Sequence, residues 1–294
     1  MLVFGQVDFS LIEPMSKPNY RVIVVKDSVK VTPNMQRVTF TGDDLADFPE
    51  NYESGYVKLL FSQQGQAIGD KEQVEKGKYL RRTYTVRAFN REASELAIDF
   101  SLHGSKNGPA ATWANSTKSG DTILMGGPGP TKLVDNQADW FLLAGDMSGL
   151  PALACNLEQL PENAQGYAVI EVASEADKQD LKAPAGMLIK WVVNEKPGEN
   201  PEALMEEIKA LSWKAGTPYV WVACEFGAMK NIRDYLKNSR GIESENIYIS
   251  SYWKFDRTEE EHKVDKRIDA GAPPFIQVLW DIKAKCQKLL LLKK

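Results

Sequence analysis

The segment Arg82-Thr83-Tyr84-Thr85-Val86-Arg87 combines cations, an aromatic ring and hydroxyl groups in alternating order. In an extended strand, a period of two places Arg82 and Tyr84 on one face and Thr83 and Thr85 on the other. An arginine can neutralise a pyrophosphate through paired hydrogen bonds. A tyrosine ring can cover a flavin face, and a threonine hydroxyl can hydrogen-bond a flavin ring nitrogen. The segment can therefore hold FAD. Arginine and tyrosine also occur on many half-exposed strands that have no such role.

A second segment, His103-Gly104 followed by Gly108-Pro109-Ala110-Ala111, suits the phosphates of the same cofactor. Gly108-Pro109 interrupts the chain, and the residues after it can begin a helix. The N–H groups at a helix start have no intrahelical partner and favour an anion. For His103, a structural role and a flavin contact both stay open. Trp113, further along, is predicted to pack the helix against its domain.

A third segment reads as a strand, a turn of small residues and a helix opened by proline. Trp140–Ala144 is apolar, the turn is Gly145-Asp146-Met147-Ser148-Gly149, and Pro151 stands in the first helical turn. This is the entry to a nucleotide-type α/β domain. The turn lacks the three spaced glycines of the dinucleotide fingerprint, and Asp146 would repel a pyrophosphate placed over it.

Two kinds of pattern must position these segments. Residues of roughly 20–134 read as short strands separated by turns, which predicts an antiparallel β-barrel. The predicted strands are Tyr20–Lys26, Gln36–Thr41, Tyr56–Phe61, Thr83–Phe89, Leu96–Leu102 and Thr122–Met125. Beyond them, apolar strands alternate with helices, which predicts a mostly parallel sheet. We therefore expect a barrel domain at 1–135 with an extension at 1–19, an α/β domain at 136–255, and a C-terminal extension at 256–294 with a helix from about 275 onward.

Composition limits the remaining classes. The chain has 294 residues, a net charge of −4 and 43% hydrophobic residues, as expected for a globular protein that is not a general nucleic-acid binder. The N-terminus lacks the features of a signal peptide, and no apolar run is long enough to cross a bilayer. Three scattered cysteines, Cys155, Cys224 and Cys286, predict neither a disulfide framework nor an iron–sulfur or other metal site. We expect a cytoplasmic monomer without stable membrane insertion.

Taken together, these segments resemble the siderophore-interacting proteins, the FAD-binding ferric-siderophore reductases of the ferredoxin-reductase-like superfamily. The resemblance runs in family order through most of residues 20–262. Its segments are Val57–Phe61, Arg82–Arg87, His103–Ala114, Gly120-Asp121, Gly127-Pro128, Leu142–Pro151, Ala223–Glu225 and Tyr252–His262. It implies a ferredoxin-reductase-like fold, an FAD-binding barrel followed by an NAD(P)H-binding-like α/β domain. The implied activity is single-electron transfer from reduced FAD to Fe(III) in a bound siderophore, with release of Fe(II).

The same resemblance implies three groups of site residues, with the chemistry carried by FAD. The cofactor group is Arg82, Thr83, Tyr84, Thr85, Arg87, His103, Gly104, Gly108, Pro109, Ala110 and Ala111. The donor group, for NAD(P)H or reduced ferredoxin, is Gly145, Asp146, Ser148, Cys224 and Glu225. The substrate group is cationic, because ferric catecholates are strongly anionic. It consists of Lys58 and Lys254 first, then Lys132 and Arg257.

Two residues depart from the family pattern near the expected nicotinamide approach. Cys224 stands in Ala-Cys-Glu where relatives commonly have glycine, and Met147 stands where an acidic residue is frequent. These departures favour ferredoxin over NADPH or NADH as the electron donor. Two other functions stay open at this point: a general NAD(P)H-linked flavin reductase or ferredoxin-type oxidoreductase, and a non-enzymatic carrier of ferric siderophores.

Overall fold

The structure is a computed structural model that describes residues 20–74, 78–102, 108–135 and 137–271. His103 and Gly104, two residues of the predicted cofactor group, lie outside the described residues. The helix expected from about residue 275 onward lies outside them as well.

The first half of the chain forms a curled antiparallel sheet of seven strands. They are β1 (Tyr20–Thr32), β2 (Met35–Thr41), β3 (Tyr56–Ser62), β4 (Tyr79–Thr85), β5 (Ala88–Asn90), β6 (Glu95–Ser101) and β7 (Thr122–Gly129). Their order is β4-β3-β7-β1-β2-β6-β5, so β4 and β5 are the two edges. The predicted strand at Thr83–Phe89 is divided between β4 and β5. The other five predicted barrel strands are confirmed, with bounds that shift by up to six residues.

Alternating side chains from these strands fill the inside of the sheet. Val57, Leu59 and Phe61 of β3 are fully buried there, together with Phe40 and Phe100 from across the barrel. The helix α1 (Pro109–Ala114) closes one end. Its Trp113 ring lies 6.1–6.2 Å from the rings of Phe40, Phe61 and Phe100. The predicted packing role of Trp113 is therefore confirmed.

The second half of the chain forms a parallel sheet of five strands in the order β10-β9-β8-β11-β12. These strands are β8 (Trp140–Gly145), β9 (Gln165–Val172), β10 (Gly186–Val193), β11 (Pro218–Glu225) and β12 (Ile247–Trp253). The helices are α2 (Leu150–Gln159), α3 (Ala203–Lys209) and α4 (Phe226–Asp234), the last continued by a π-helical turn at Tyr235–Ser239. Each face of the sheet has its own apolar core, one with α2 and one with α3 and α4. The predicted alternation of strands and helices is confirmed.

The turn between β8 and α2 lies directly against the neighbouring strand β11. A Cβ atom built on Gly149 would lie 2.1 Å from the carbonyl oxygen of Ala223, closer than any real side chain tolerates. Glycine at this position therefore lets α2 begin immediately over the carboxyl end of β11.

A fifth helix, α5 (Glu259–Asp269), follows β12 and was not predicted. Its signal was nevertheless present in Thr258-Glu-Glu-Glu261. Thr258 Oγ1 accepts from the Glu261 backbone N–H at 3.3 Å, and the Glu261 carboxylate accepts from the Thr258 N–H at 2.9 Å. This is a capping box, which satisfies two backbone donors at a helix start. Among the described residues, no helix is both long and apolar enough to cross a membrane.

A buried carboxylate ties the two halves of the chain together. Asp177, which follows β9, is fully buried. It accepts from Thr32 Oγ1 at 2.8 Å and from the Asn34 backbone and side chain at 2.9 and 2.8 Å. Burial acts to raise the pKa of Asp177, but the hydrogen bonds from Asn34, Ser174 and Thr32 outweigh it and the pKa is lowered. The β1–β2 turn of the barrel is therefore held by a charge on the α/β side.

We predict that Asp177→Asn lowers the stability at neutral pH by about 1–3 kcal/mol, because the amide replaces one charged acceptor with a donor. Since the folded-state pKa is lowered, the contribution of Asp177 is complete above the unfolded pKa of about 3.9 and is lost as the pH falls through the folded value. The loss should therefore shrink in acid. Urea unfolding at a series of pH values from 7 down to about 2 tests this. Asp180→Asn, on the exposed neighbour, is the control; a loss that stays constant over the whole series would contradict the assignment.

Candidate flavin and substrate site

The register of β4 on β3 decides which side chains of the Arg82–Thr85 segment point inward. Arg82 pairs with Leu59 and Tyr84 pairs with Val57, both buried residues of the barrel interior. Thr83 pairs with Lys58 and Thr85 with Tyr56, on the opposite face. The register therefore places the four side chains on two faces, as predicted.

Tyr84 and Arg82 occupy different surroundings on their shared face. The Tyr84 ring is half-buried, with its centroid 4.3 Å from that of Phe100, and burial raises the pKa of its hydroxyl. The Arg82 side chain is only 14% exposed. It donates to the two carboxylate oxygens of Glu260, from Nη1 at 2.8 Å and from Nη2 at 3.3 Å. Arg82 therefore holds an anion in the paired geometry that also suits a phosphate.

The start of α1 provides the second part of the cradle. Gly108 is its N-cap, and Pro109 has no N–H, so the first N–H groups of the helix belong to Ala110 and Ala111. No described heavy atom lies within 4 Å of a Cβ built on Gly108. The backbone at this helix start is therefore open to a close approach. An anion-holding arginine, a tyrosine ring and an open helix start together fit an FAD molecule.

Arg87, the last residue of the predicted segment, has different partners. Its Nη2 lies 2.6 Å from Glu158 Oε1 of α2, and its Nε lies 3.9 Å from Asp99. The guanidinium thus joins the barrel to the α/β domain. Its flavin role stays a prediction, and the described contacts do not bring it together with Arg82.

Lys58 is the predicted substrate residue that lies beside the flavin segment. It is half-buried, and its Nζ lies 5.6 Å from the centroid of the Tyr56 ring. In the described part of the chain, no carboxylate lies within 4 Å of Lys58 Nζ. Burial lowers the pKa of Lys58, and the positive charges of Arg81 and Lys263 lower it further, against the negative charge of Glu259, which raises it. Arg81 and Lys263 were missed by the sequence reasoning, because their proximity depends on how β4 and α5 pack.

The other three predicted substrate cations are engaged elsewhere. Lys254 Nζ lies 2.7 Å from Asp265, and Arg257 Nε lies 3.5 Å from the same carboxylate. Lys132 Nζ lies 5.8 Å from the centroid of Tyr248. Tyr248 belongs to the α2 face of the parallel sheet, whereas Lys254 lies over Phe226 on the opposite face. The four cations therefore do not converge as a single group.

The predicted donor residues lie together at the carboxyl ends of β8 and β11. Asp146 Oδ1 accepts from the Ser148 and Gly149 backbone N–H groups at 2.9 and 3.2 Å, and Oδ2 accepts from Trp253 Nε1 at 2.7 Å. Glu225 caps α4 by accepting from the backbone N–H groups of Gly227 and Ala228. Both helix starts at this edge already hold a carboxylate of the chain itself.

Two further titratable groups, Glu171 and Cys224, are buried at this edge of the sheet. Burial and the nearby charge of Asp146 raise the pKa of Glu171 to about 7, against a hydrogen bond with Asn194 that lowers it. Cys224 is fully buried, and burial raises the pKa of its thiol. A buried neutral thiol behaves as a small apolar group. Among the described residues, no cluster of histidine, cysteine or acidic side chains has the arrangement of a metal site.

Comparisons with known proteins agree with this architecture. Residues 24–132 match the siderophore-interacting FAD-binding domain, and residues 138–256 match the siderophore-interacting protein model. Ferric vibriobactin reductase ViuB of Vibrio cholerae is 34% identical over 247 residues, which cover 81% of this chain and 90% of ViuB.

The chain belongs to the siderophore-interacting protein family.

Two further relatives bear on the fold and on the donor. The crystal structure of SipS from Aeromonas hydrophila superimposes with a TM-score of 0.75 at 31% identity, over 87% of this chain and 99% of SipS. The ferredoxin-reductase-like fold, predicted as a barrel with a following α/β domain, is thereby confirmed. The NADPH-dependent ferric-chelate reductase of Escherichia coli is 25% identical, over 80% of this chain and 92% of its own length. Because residues 24–132 match the siderophore-interacting FAD-binding domain, the barrel is an FAD-binding domain.

We predict that Arg82→Lys raises the Kd for FAD roughly tenfold, or about 1.4 kcal/mol. Lysine keeps the charge but loses the planar pair of donors. Quenching of FAD fluorescence during titration of apoprotein measures the Kd. Arg81→Lys is the matched control, since Arg81 lies on the same strand and the opposite face. An unchanged Kd in Arg82→Lys would mean that positive charge alone, rather than the paired geometry, holds the phosphates, and equal losses in both variants would contradict a specific role of Arg82.

Proposed function

We propose that this protein is a ferric-siderophore reductase in which an anionic iron chelate binds beside the flavin segment of β4. The observation that carries this proposal is the position of Lys58. It lies one strand away from the flavin segment, opposite Thr83, and no described carboxylate lies within 4 Å of its Nζ, although Glu259 acts on it from further away. A half-buried cation without a direct ion pair is suited to an anionic ligand. The ferric vibriobactin reductase ViuB and the NADPH-dependent ferric-chelate reductase of E. coli support the same reaction class.

The side chains of the cradle orient the cofactor in this proposal. Arg82 and the start of α1 hold the diphosphate, Tyr84 covers the ring, and Thr85 supplies a hydroxyl at its edge. FAD, when bound and reduced, supplies the electrons that convert Fe(III) to Fe(II). The chelate holds Fe(II) far more weakly than Fe(III), so reduction releases the metal and leaves the ligand intact.

The cations around Lys58 favour a ferric chelate that is anionic, and they also stabilise the further negative charge that the chelate gains when its iron is reduced. Arg81 and Lys263 act on Lys58 through their charges, and all three would attract a strongly anionic chelate. Lys254 and Arg257 share the carboxylate of Asp265. They would contribute only after leaving it, so we rank Lys58 first and Lys254 second.

We further propose a one-electron protein donor, such as reduced ferredoxin, in preference to NADPH or NADH. The support comes from the carboxyl edge of the parallel sheet. The pyrophosphate of a dinucleotide placed at the start of α2 would meet the buried carboxylate of Asp146, which already occupies the Ser148 and Gly149 N–H groups. Glu225 and Glu171 lie at the same edge. The negative charge of Asp146 and Glu225 opposes the binding of a dinucleotide pyrophosphate at this edge.

We predict that Lys58→Gln lowers kcat/KM for an anionic ferric catecholate about five- to thirtyfold, or roughly 1–2 kcal/mol of transition-state stabilisation. The loss arises because the chelate loses a half-buried cation that has no direct ion pair among the described residues. An anaerobic assay that traps Fe(II) with a chromogenic chelator measures it, with Lys30→Gln on the exposed barrel surface as control. A general flavin reductase would show no difference between the two variants.

For the donor, we predict that stopped-flow mixing with reduced ferredoxin reduces the bound flavin at least tenfold faster than mixing with NADPH or NADH at equal concentration. The physical reason is the repulsion between Asp146 and a dinucleotide pyrophosphate. Flavin absorbance reports the rate directly. If NADPH proves the faster donor, Asp146 must move away from α2 on binding, and the preference for ferredoxin is wrong.

A further inference from the structure

The first turn of α5 lies against the flavin segment of β4. Glu260 occupies both terminal nitrogens of Arg82, at 2.8 and 3.3 Å. Next to it, Glu259 accepts from Thr83 Oγ1 at 3.0 Å. Two residues of the FAD-binding barrel are thus held by carboxylates from a helix that belongs to the other half of the chain.

The remainder of α5 is anchored to the α/β domain. His262 is buried, and its Nε2 lies 2.8 Å from Ser251 Oγ of β12. Lys266 Nζ donates to Ser250 Oγ at 3.0 Å and to the Ser251 carbonyl at 2.9 Å. These contacts hold the helix independently of its first turn. The bond between Glu260 and Arg82 can therefore break while α5 stays docked.

The two carboxylates differ in how firmly they are held. The Glu259 side chain is 19% exposed and also forms an ion pair with Lys263 at 2.7 Å. The Glu260 side chain is 50% exposed, and Arg82 is its partner. An exposed ion pair contributes little net stability, since water competes for both groups. Glu260 is thus the carboxylate that an arriving anion can replace most easily.

Glu260 takes one N–H from each terminal nitrogen of Arg82, and the Arg81 carbonyl takes the second N–H of Nη1 at 3.0 Å. An FAD diphosphate that pairs with this edge of the guanidinium must therefore displace Glu260. Two anions brought to the same side of the group would also repel each other.

We propose that Glu260 is an exchangeable counter-anion of Arg82, which FAD displaces when it binds. Glu260 keeps Arg82 paired while the flavin is absent and lowers the affinity for FAD by competing for the same nitrogens. The proposal rests on the FAD role of Arg82 given above.

The test is the FAD affinity of Glu260→Gln, measured by fluorescence quenching of apoprotein. We expect the Kd to fall about two- to fivefold, the range for an exposed ion pair. The advantage should shrink with added salt, which screens the competing charge. Glu206→Gln, at an exposed position of α3, changes the net charge by the same amount and should leave the Kd for FAD unchanged. In an Arg82→Gln background the gain from Glu260→Gln should disappear.

Three results would overturn the proposal. The Kd could stay unchanged or rise in Glu260→Gln, which would make Glu260 irrelevant or a positioning group for Arg82. The gain could persist in the Arg82→Gln background, which would mean that it acts through another residue. Glu206→Gln could reproduce it, which would assign it to net charge. If the wild-type chain binds no FAD, the cofactor assignment and the proposal fail together; tight binding without a Glu260 effect overturns the proposal alone.

Discussion

The pairing of β4 with β3 is the constraint on which the site depends. Seven residue pairs, from Tyr56 with Thr85 to Ser62 with Tyr79, fix the register. A slip by one residue would exchange the two faces, and would turn Arg82 and Tyr84 away from the barrel interior. The buried residues Val57 and Leu59 oppose such a slip, because it would expose them or place polar groups among them. Since β4 is an edge strand, its unpaired side remains accessible to a ligand.

Charge distribution then separates the two ends of the proposed reaction. The barrel side carries Lys58 and Arg81, and α5 adds Lys263 together with the carboxylates of Glu259 and Glu260. The carboxyl edge of the parallel sheet instead carries the buried carboxylates of Asp146 and Glu225. In the proposal, Lys58 favours an anionic chelate at the first place and Asp146 opposes a dinucleotide phosphate at the second.

Local patterns in the sequence were enough to predict the two-domain order, most strands and the face of Arg82. A strand's period and its turn residues act over a few neighbours, and Trp113 follows a helix start that the sequence marks with Gly108-Pro109. Contacts between distant segments could not be predicted in this way. The pairs of Arg87 with Glu158, of Asp177 with Asn34 and of Glu260 with Arg82 span 71, 143 and 178 residues. The capping box at Thr258 is a local signal, and it marks the start of α5 in the sequence.

The most direct test of the account is a single turnover under anaerobic conditions. FAD-loaded protein is photoreduced and mixed with an excess of a ferric catecholate, while flavin absorbance and trapped Fe(II) are followed together. We predict complete reoxidation of the flavin with two Fe(II) formed per flavin, and slower reoxidation in Lys58→Gln. Flavin that stays reduced with every ferric chelate would contradict the assignment as a ferric-siderophore reductase.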